Sequence, residues 1–145
     1  MVTIGGYGNS EGEPSETSAY RDAQAALDWV KAEHNIESAS VLAHGLSIGG
    51  AVAASLARDN PGLHLTLDQT FVNAYEVARC VAANRFEGYA PEWAVAAVVG
   101  TSFPTGLVDG PYVTDGFDTE AKLRSVEGHV FCFTSTKVRV HTLVQ

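Results

Sequence analysis

The stretch Ala43-His44-Gly45-Leu46-Ser47-Ile48-Gly49-Gly50 sets a serine between two glycines in the pattern G-x-S-x-G. Ser40-Val41-Leu42-Ala43, just before it, is a short apolar run of strand type. Just after it, Ile48, Ala51, Val52 and Leu56 recur at helical spacing. A strand, a serine turn and a helix in this order make a nucleophile elbow. Its turn is so tight that the serine backbone is strained, and small residues two before and two after it avoid a clash. The expected result holds Ser47 Oγ up at the end of a sheet, beside the positive end of a helix dipole.

Working outward, a loop dense in turn residues runs from Gly5 to Ser15. A helix is expected from about residue 17 to 33, with Tyr20, Ala23, Leu27 and Val30 as its apolar stripe. His34-Asn35 ends it. The helix after the serine runs to about Asp59, where Asn60-Pro61-Gly62 stops it. Leu63 to Leu67 alternates and ends on Asp68, which reads as the next strand. Strand and helix in alternation predict a parallel sheet with right-handed crossovers, whose functional edge is the carboxyl ends of the strands. Ser47 and Asp68 both fall there.

The second half is less regular. Residues 73 to 83 and 91 to 99 read as helices, and residues 101 to 116 as a long loop, so a cap-like insertion is expected over about 72–116. Asp118 or Thr119 caps a short helix, and His129 to Thr134 is the strongest strand of this half. Met1 to Ile4 reads as the end of a strand. Glycines at 6, 8 and 12 invite comparison with a dinucleotide loop, but the spacing is wrong and Glu11 would face a pyrophosphate. No cofactor is expected.

A chain of 145 residues with 46% hydrophobic content is long enough for one domain with a core of its own. The formal net charge of −8 argues against nucleic acid, which needs a basic face. The longest apolar run, Trp93 to Val99, is far too short to span a membrane. Met1 to Gly6 shows no basic segment followed by an apolar one, so no signal peptide is expected and the expected location is cytoplasmic. Cys80 and Cys132 are far apart in apolar settings and read as buried thiols, and no Cys/His cluster has metal-ligand spacing.

Four stretches in this order resemble the α/β-hydrolase family. Gly6-Tyr7-Gly8-Asn9-Ser10-Glu11-Gly12 is similar to the loop often written G-x-G-x-S-x-G after the family's fourth strand. The helix with Asp22, Ala25, Leu27, Trp29 and Val30 resembles the one that follows it. Gly45 to Gly50 matches the nucleophile elbow, and residues 117 to 134 resemble the segment entering the strand before the catalytic acid. The resemblance implies a partial α/β-hydrolase fold, with a mostly parallel sheet flanked by helices. It also implies a serine hydrolase of esterase or thioesterase type acting on a small-molecule acyl substrate.

The family sets further strands ahead of the segment opened by Met1, one of which supplies an oxyanion N–H. It places an aspartate where Val138 stands here, and a histidine after one more strand. The chain therefore reads as a single truncated domain, 1–145, without the N-terminal strands and the C-terminal histidine segment. Ser47 is the candidate nucleophile and the Ile48 amide the candidate oxyanion donor.

Acyl transfer to serine also needs a base and a group to orient it. Asp68 is a candidate acid, or a cap for Thr70 to Asn73. His141, expected beyond the last strand, is the candidate base. His44 reads as a core histidine, and His34, His64 and His129 as structural or surface residues. Without base and acid the chain would be a catalytically silent binding or assembly partner. Its missing strands would leave a sheet edge open at Ile4 or Val41 and favour a homo-oligomer.

Overall fold

The computed structural model describes residues 2–73 and 116–133, and the backbone of 141–143. Helix α1 spans Glu16–His34, strand β1 Leu42–Leu46, helix α2 Ile48–Asp59 and strand β2 His64–Asp68. Helix α3 spans Thr119–Leu123, strand β3 Val130–Phe133 and strand β4 His141–Leu143. The expected helices near 73–83 and 91–99, and with them the cap-like segment, lie outside the described residues.

The four strands form one sheet in the order β1-β2-β3-β4. β1, β2 and β3 are parallel, with Gly45 opposite Leu67 and Leu67 opposite Cys132. β4 is antiparallel to β3, with His141 opposite Cys132. The expectation of a mostly parallel sheet flanked by helices is met.

Local chemistry sets the boundaries of α1. Ser15 and Ser18 cap its start reciprocally: Ser18 N donates to Ser15 Oγ at 3.0 Å, and Ser15 N donates to Ser18 Oγ at 2.9 Å. Asn35, left-handed at φ 50°, ends the helix by donating its N–H to the Lys31 carbonyl. Asp118 caps α3 by accepting from Ala121 N at 2.9 Å, as expected.

One face of the sheet carries the main core. Leu65, Leu67 and Val130 pack with Leu27 of α1, Ala53, Ala54 and Ala57 of α2, and Val126. Alanines let α2 lie close against the strands, and Ala54 and Leu65 are wholly buried. β2 is interior in sequence space as well as in the sheet, since Leu65, Thr66 and Leu67 are all buried.

A second cluster joins α1 to the start of α3 through Ala19, Ala51, Val52 and Phe117, with Ile4, Tyr20, Ala23 and Phe71 against it. Glu16, fully buried, accepts from the Tyr20 hydroxyl and from Phe117 N, so its carboxylate is satisfied rather than stranded. Lys122 Nζ lies 5.0 Å from the centroid of the Tyr20 ring and donates to the Asp118 carbonyl.

Residues 2–4 are not strand. Ile4 is held by this second cluster instead, and Gly5 N donates to Asp22 Oδ2 at 2.8 Å, which ties the glycine loop to α1. The strand edge expected at Ile4 is therefore not formed there, and the glycine loop packs against α1.

Candidate functional site

The site is built where β1 runs into α2. Ser47 is the one residue between them, with φ 53° and ψ −121°. A positive φ is unusual for a residue with a side chain, and a conformation of this kind costs about 1–3 kcal/mol unless its surroundings enforce it. Three hydrogen bonds do so. Ser47 N donates to the Asp68 carbonyl at 3.0 Å, Gly50 N donates to the Ser47 carbonyl at 2.9 Å, and Thr70 Oγ1 donates to the same carbonyl at 2.7 Å. The hydroxyl of Thr70 is a positioning group that G-x-S-x-G spacing does not reveal. Its only sequence signal is its place just after β2.

The expected need for small residues on both sides of Ser47 holds in part. A Cβ on Gly45 would lie 2.5 Å from Gly50 Cα and strike the Gly49 carbonyl, so this position admits only glycine. A Cβ on Gly49, two residues after the serine, would meet nothing within 4 Å. The tight position on that side is Gly50, where a Cβ would lie 2.5 Å from Thr70 Cβ. The turn is braced by the threonine after β2, and the constraint moves one residue along α2.

Ser47 is exposed, and so is Ile48. The Ile48 amide is among the leading N–H groups of α2, which have no carbonyl one turn earlier to receive them. It therefore offers a donor at the positive end of the helix dipole, next to the serine.

Asp68 ends β2, half-buried, in register with Leu46, so its backbone adjoins Ser47 on the neighbouring strand. Gln69 follows at φ 47° and donates its N–H to the Phe133 carbonyl at 3.0 Å. The carboxyl ends of β1, β2 and β3 are thereby laced together.

His141 is not beyond the last strand. It opens β4, opposite Cys132 and in the same row as Leu67 and Gly45. That places it at the carboxyl-end level of the parallel strands but three strand spacings from β1, about 14 Å at the usual separation. Val138 lies outside the described residues.

The remaining histidines are not at this edge. His44 is exposed on β1, not a core residue, because its side chain stands on the sheet face opposite α2. His64 and His129 stack at 5.1 Å at the other end of the sheet, and His129 N donates to His64 Nδ1 at 3.1 Å. Among the described residues no group of three or more His, Cys, Asp or Glu could hold a metal ion. Among them, too, no helix is long and apolar enough to cross a membrane. Cys132 is a free, half-buried thiol, and burial pushes it above the ordinary thiol range.

No family model matches the chain. It is 40% identical over 80 residues to the alpha/beta hydrolase domain-containing protein WAV2 of Arabidopsis thaliana, a match covering 54% of this chain and 26% of that protein. It is 35% identical over 79 residues to the lysophosphatidylserine lipase ABHD12 of Gallus gallus, covering 51% of this chain and 20% of the lipase. A crystal structure of an alpha-beta hydrolase from Vibrio vulnificus superimposes with a TM-score of 0.68 at 25% identity, over 93% of this chain and 45% of that one. These matches support an α/β-hydrolase family for the chain. Its matches cover at most about a quarter of the length of the curated relatives.

Proposed function

We propose that the chain carries the nucleophile segment of a serine hydrolase of esterase or thioesterase type. The observation that carries this reading is Ser47 itself. It is an exposed hydroxyl on a positive-φ turn between a parallel strand and a helix N-terminus, held there by Asp68, Gly50 and Thr70. In this role Ser47 Oγ attacks the carbonyl carbon of a small-molecule acyl substrate, and the Ile48 N–H donates to the oxyanion that forms. The lipase among the relatives hydrolyses a lipid ester by its name, which supports acyl chemistry for the family segment shared here.

Asp68 and His141 are the candidate acid and base of this reading, although three strand spacings, about 14 Å, separate β4 from β1 and put His141 beyond direct hydrogen-bond reach of Ser47 Oγ. The two lie on strands β2 and β4, at the same end of the sheet as Ser47. No cofactor takes part in such a reaction. Residues 1–145 are read as one truncated part of such a domain, with the cytoplasm as its proposed location.

A fluorophosphonate probe tests the reading directly. Labelling of the folded chain that disappears in Ser47→Ala is the expected result. A folded sample that takes up no probe overturns it, and esterase turnover surviving Ser47→Ala overturns the choice of nucleophile.

A second reading is favoured by one observation: among the described residues no histidine or carboxylate side chain is hydrogen-bonded to Ser47 Oγ. Serine alone is a weak nucleophile at neutral pH. On this reading the chain is a catalytically silent α/β-hydrolase segment that acts as a binding or assembly partner, and it predicts no labelling.

A further inference from the structure

Glu16 is the first residue of α1 and, among the described residues, an acid with no solvent exposure at all. The serine turn makes no direct use of it. The leading end of a helix favours an acidic side chain, yet a buried carboxyl group still costs stability unless donors reach it. Two do. Tyr20, one turn along α1, donates its hydroxyl, and Phe117 N donates at 2.9 Å from 101 residues further along the chain. The Tyr20 ring is fixed in turn, edge-on to Phe117 at 6.0 Å and with Lys122 Nζ 5.0 Å from its centroid.

What these bonds direct is the backbone at Phe117. Its φ is 51°, left-handed, just after Gly116 at φ 71°. A bulky residue keeps that conformation only where its surroundings over-determine it. The reversal turns the Phe117 N–H in toward Glu16 and sets the ring, buried, with Ala51 and Val52. Ala51 lies one helical turn beyond Ser47 and is wholly buried. Two residues after Phe117, Thr119 N donates to the Val72 carbonyl at 2.8 Å. Val72 is two residues past Thr70, whose hydroxyl holds the Ser47 carbonyl. Residues 117–119 therefore brace the serine turn from two directions, through the start of α2 and through the segment after β2.

We propose that Glu16 is a positioning residue for Ser47. Its carboxylate keeps Phe117 left-handed, and Phe117 and Thr119 together hold α2 and residues 70–72 where the Ser47 backbone stays strained. The part this plays in chemistry rests on the reading of Ser47 as a nucleophile; the hold on the turn does not. An apolar side chain in place of Glu16 could fill the space but would take the acceptor away from a buried N–H. Phe117 then gains by leaving the left-handed region, and its ring withdraws from Ala51. The Ser47 turn loses one of the two supports behind it.

Amide hydrogen exchange, followed by nuclear magnetic resonance on the whole chain, tests the hold. Gly50 N–H reports the serine turn, because it donates to the Ser47 carbonyl. Leu65 N–H, which donates to the His129 carbonyl toward the other end of the sheet, reports general stability. Glu16→Ala should speed exchange at Gly50 about tenfold more than at Leu65, the effect of one lost buried hydrogen bond. Glu16→Gln, which keeps the shape and a neutral acceptor, is the second variant should the first fail to fold, and it should show a smaller excess at Gly50. Equal acceleration at the two amides, or none at Gly50, overturns the proposal and leaves Glu16 a part of the packing alone.

Fluorophosphonate labelling shows whether the hold matters to chemistry. Glu16→Ala should label Ser47 more slowly than the wild type by a comparable factor, and Glu16→Gln should recover most of the rate. A wild-type labelling rate in Glu16→Ala overturns the positioning role. A wild type that takes up no probe overturns the nucleophile reading instead, and the exchange comparison still decides the hold.

Discussion

The two sides of β1 differ as sharply as any two surfaces of the molecule. Toward α2 and β2 the strand is closed so tightly that Gly45 has no room for a methyl group, and the Ser47 turn is pinned by three hydrogen bonds. On the other side the same five residues present two half-exposed leucines, and among the described residues no strand pairs with that edge. The closed side explains how a strained serine can be kept at the end of a strand. Strain persists only where packing over-determines it, and here the packing is backbone against backbone, which cannot yield by a rotamer change. Among the described residues this rigidity comes from α2 and β2.

The largest break in that contrast comes from Gly45→Ala. The new methyl meets the Gly49–Gly50 backbone, and overpacking against a backbone that cannot shift should lower stability by about 3 kcal/mol. Urea denaturation measures it, and a variant as stable as the wild type would show that the closed side is softer than described.

Thr70→Val keeps the shape but removes the donor to the Ser47 carbonyl. The loss should be about 1 kcal/mol by the same denaturation. Fluorophosphonate labelling of Ser47 should slow more than global stability alone would explain, because the bond it removes acts on the turn itself. Equal labelling rates in the two proteins would take Thr70 out of the site.

Gly49→Ala and Leu42→Gln test the tolerant positions. Neither has a crowded neighbour to lose, and each should stay within about 0.5 kcal/mol of the wild type. A large loss at Gly49 would restore the symmetric glycine requirement that the G-x-S-x-G pattern suggests.

The smallest effect concerns Cys132, which lies on the α2 face of β3 against the main core. Burial disfavours its thiolate, so its folded pKa lies above the unfolded one, whose ordinary value is 9.0. The sign follows. The native state keeps the proton longer, so this contribution to stability is complete below the unfolded pKa and is lost as pH rises through the folded one. Iodoacetamide alkylation followed at the Cys132 peptide should reach its half-maximal rate at higher pH in the folded protein than in urea. Coincident profiles would mean that the α2 face is open to water at this point.

Much of this was legible in advance, for reasons that are local. Apolar alternation from Leu63 to Leu67 and helical spacing from Ile48 to Leu56 are properties of adjacent residues, and β2 and α2 appear where those patterns lie. Asn35, and the Asn60-Pro61-Gly62 stop, act through φ values and missing donors within one turn. The helix–strand rhythm was enough to place Ser47 and Asp68 at one sheet edge. Three readings failed, each for want of long-range partners. Ile4 was expected in a strand but is drawn into a core with Ala51 and Phe117. His44 was expected inside but faces outward, because no covering element of the described residues reaches that face of β1. His141 was expected after the last strand but pairs with Cys132 as a strand of its own.

The sequence by itself thus determined the elements, the parallel order and the serine turn, because periodicity, caps and glycine spacing are written in neighbouring residues. Only the tertiary structure decided which glycine is indispensable, that Thr70 holds the Ser47 carbonyl, and that Ile4 packs with Ala51 and Phe117 rather than in a strand. Those depend on distances between residues far apart in the chain, which folding sets and spacing does not record.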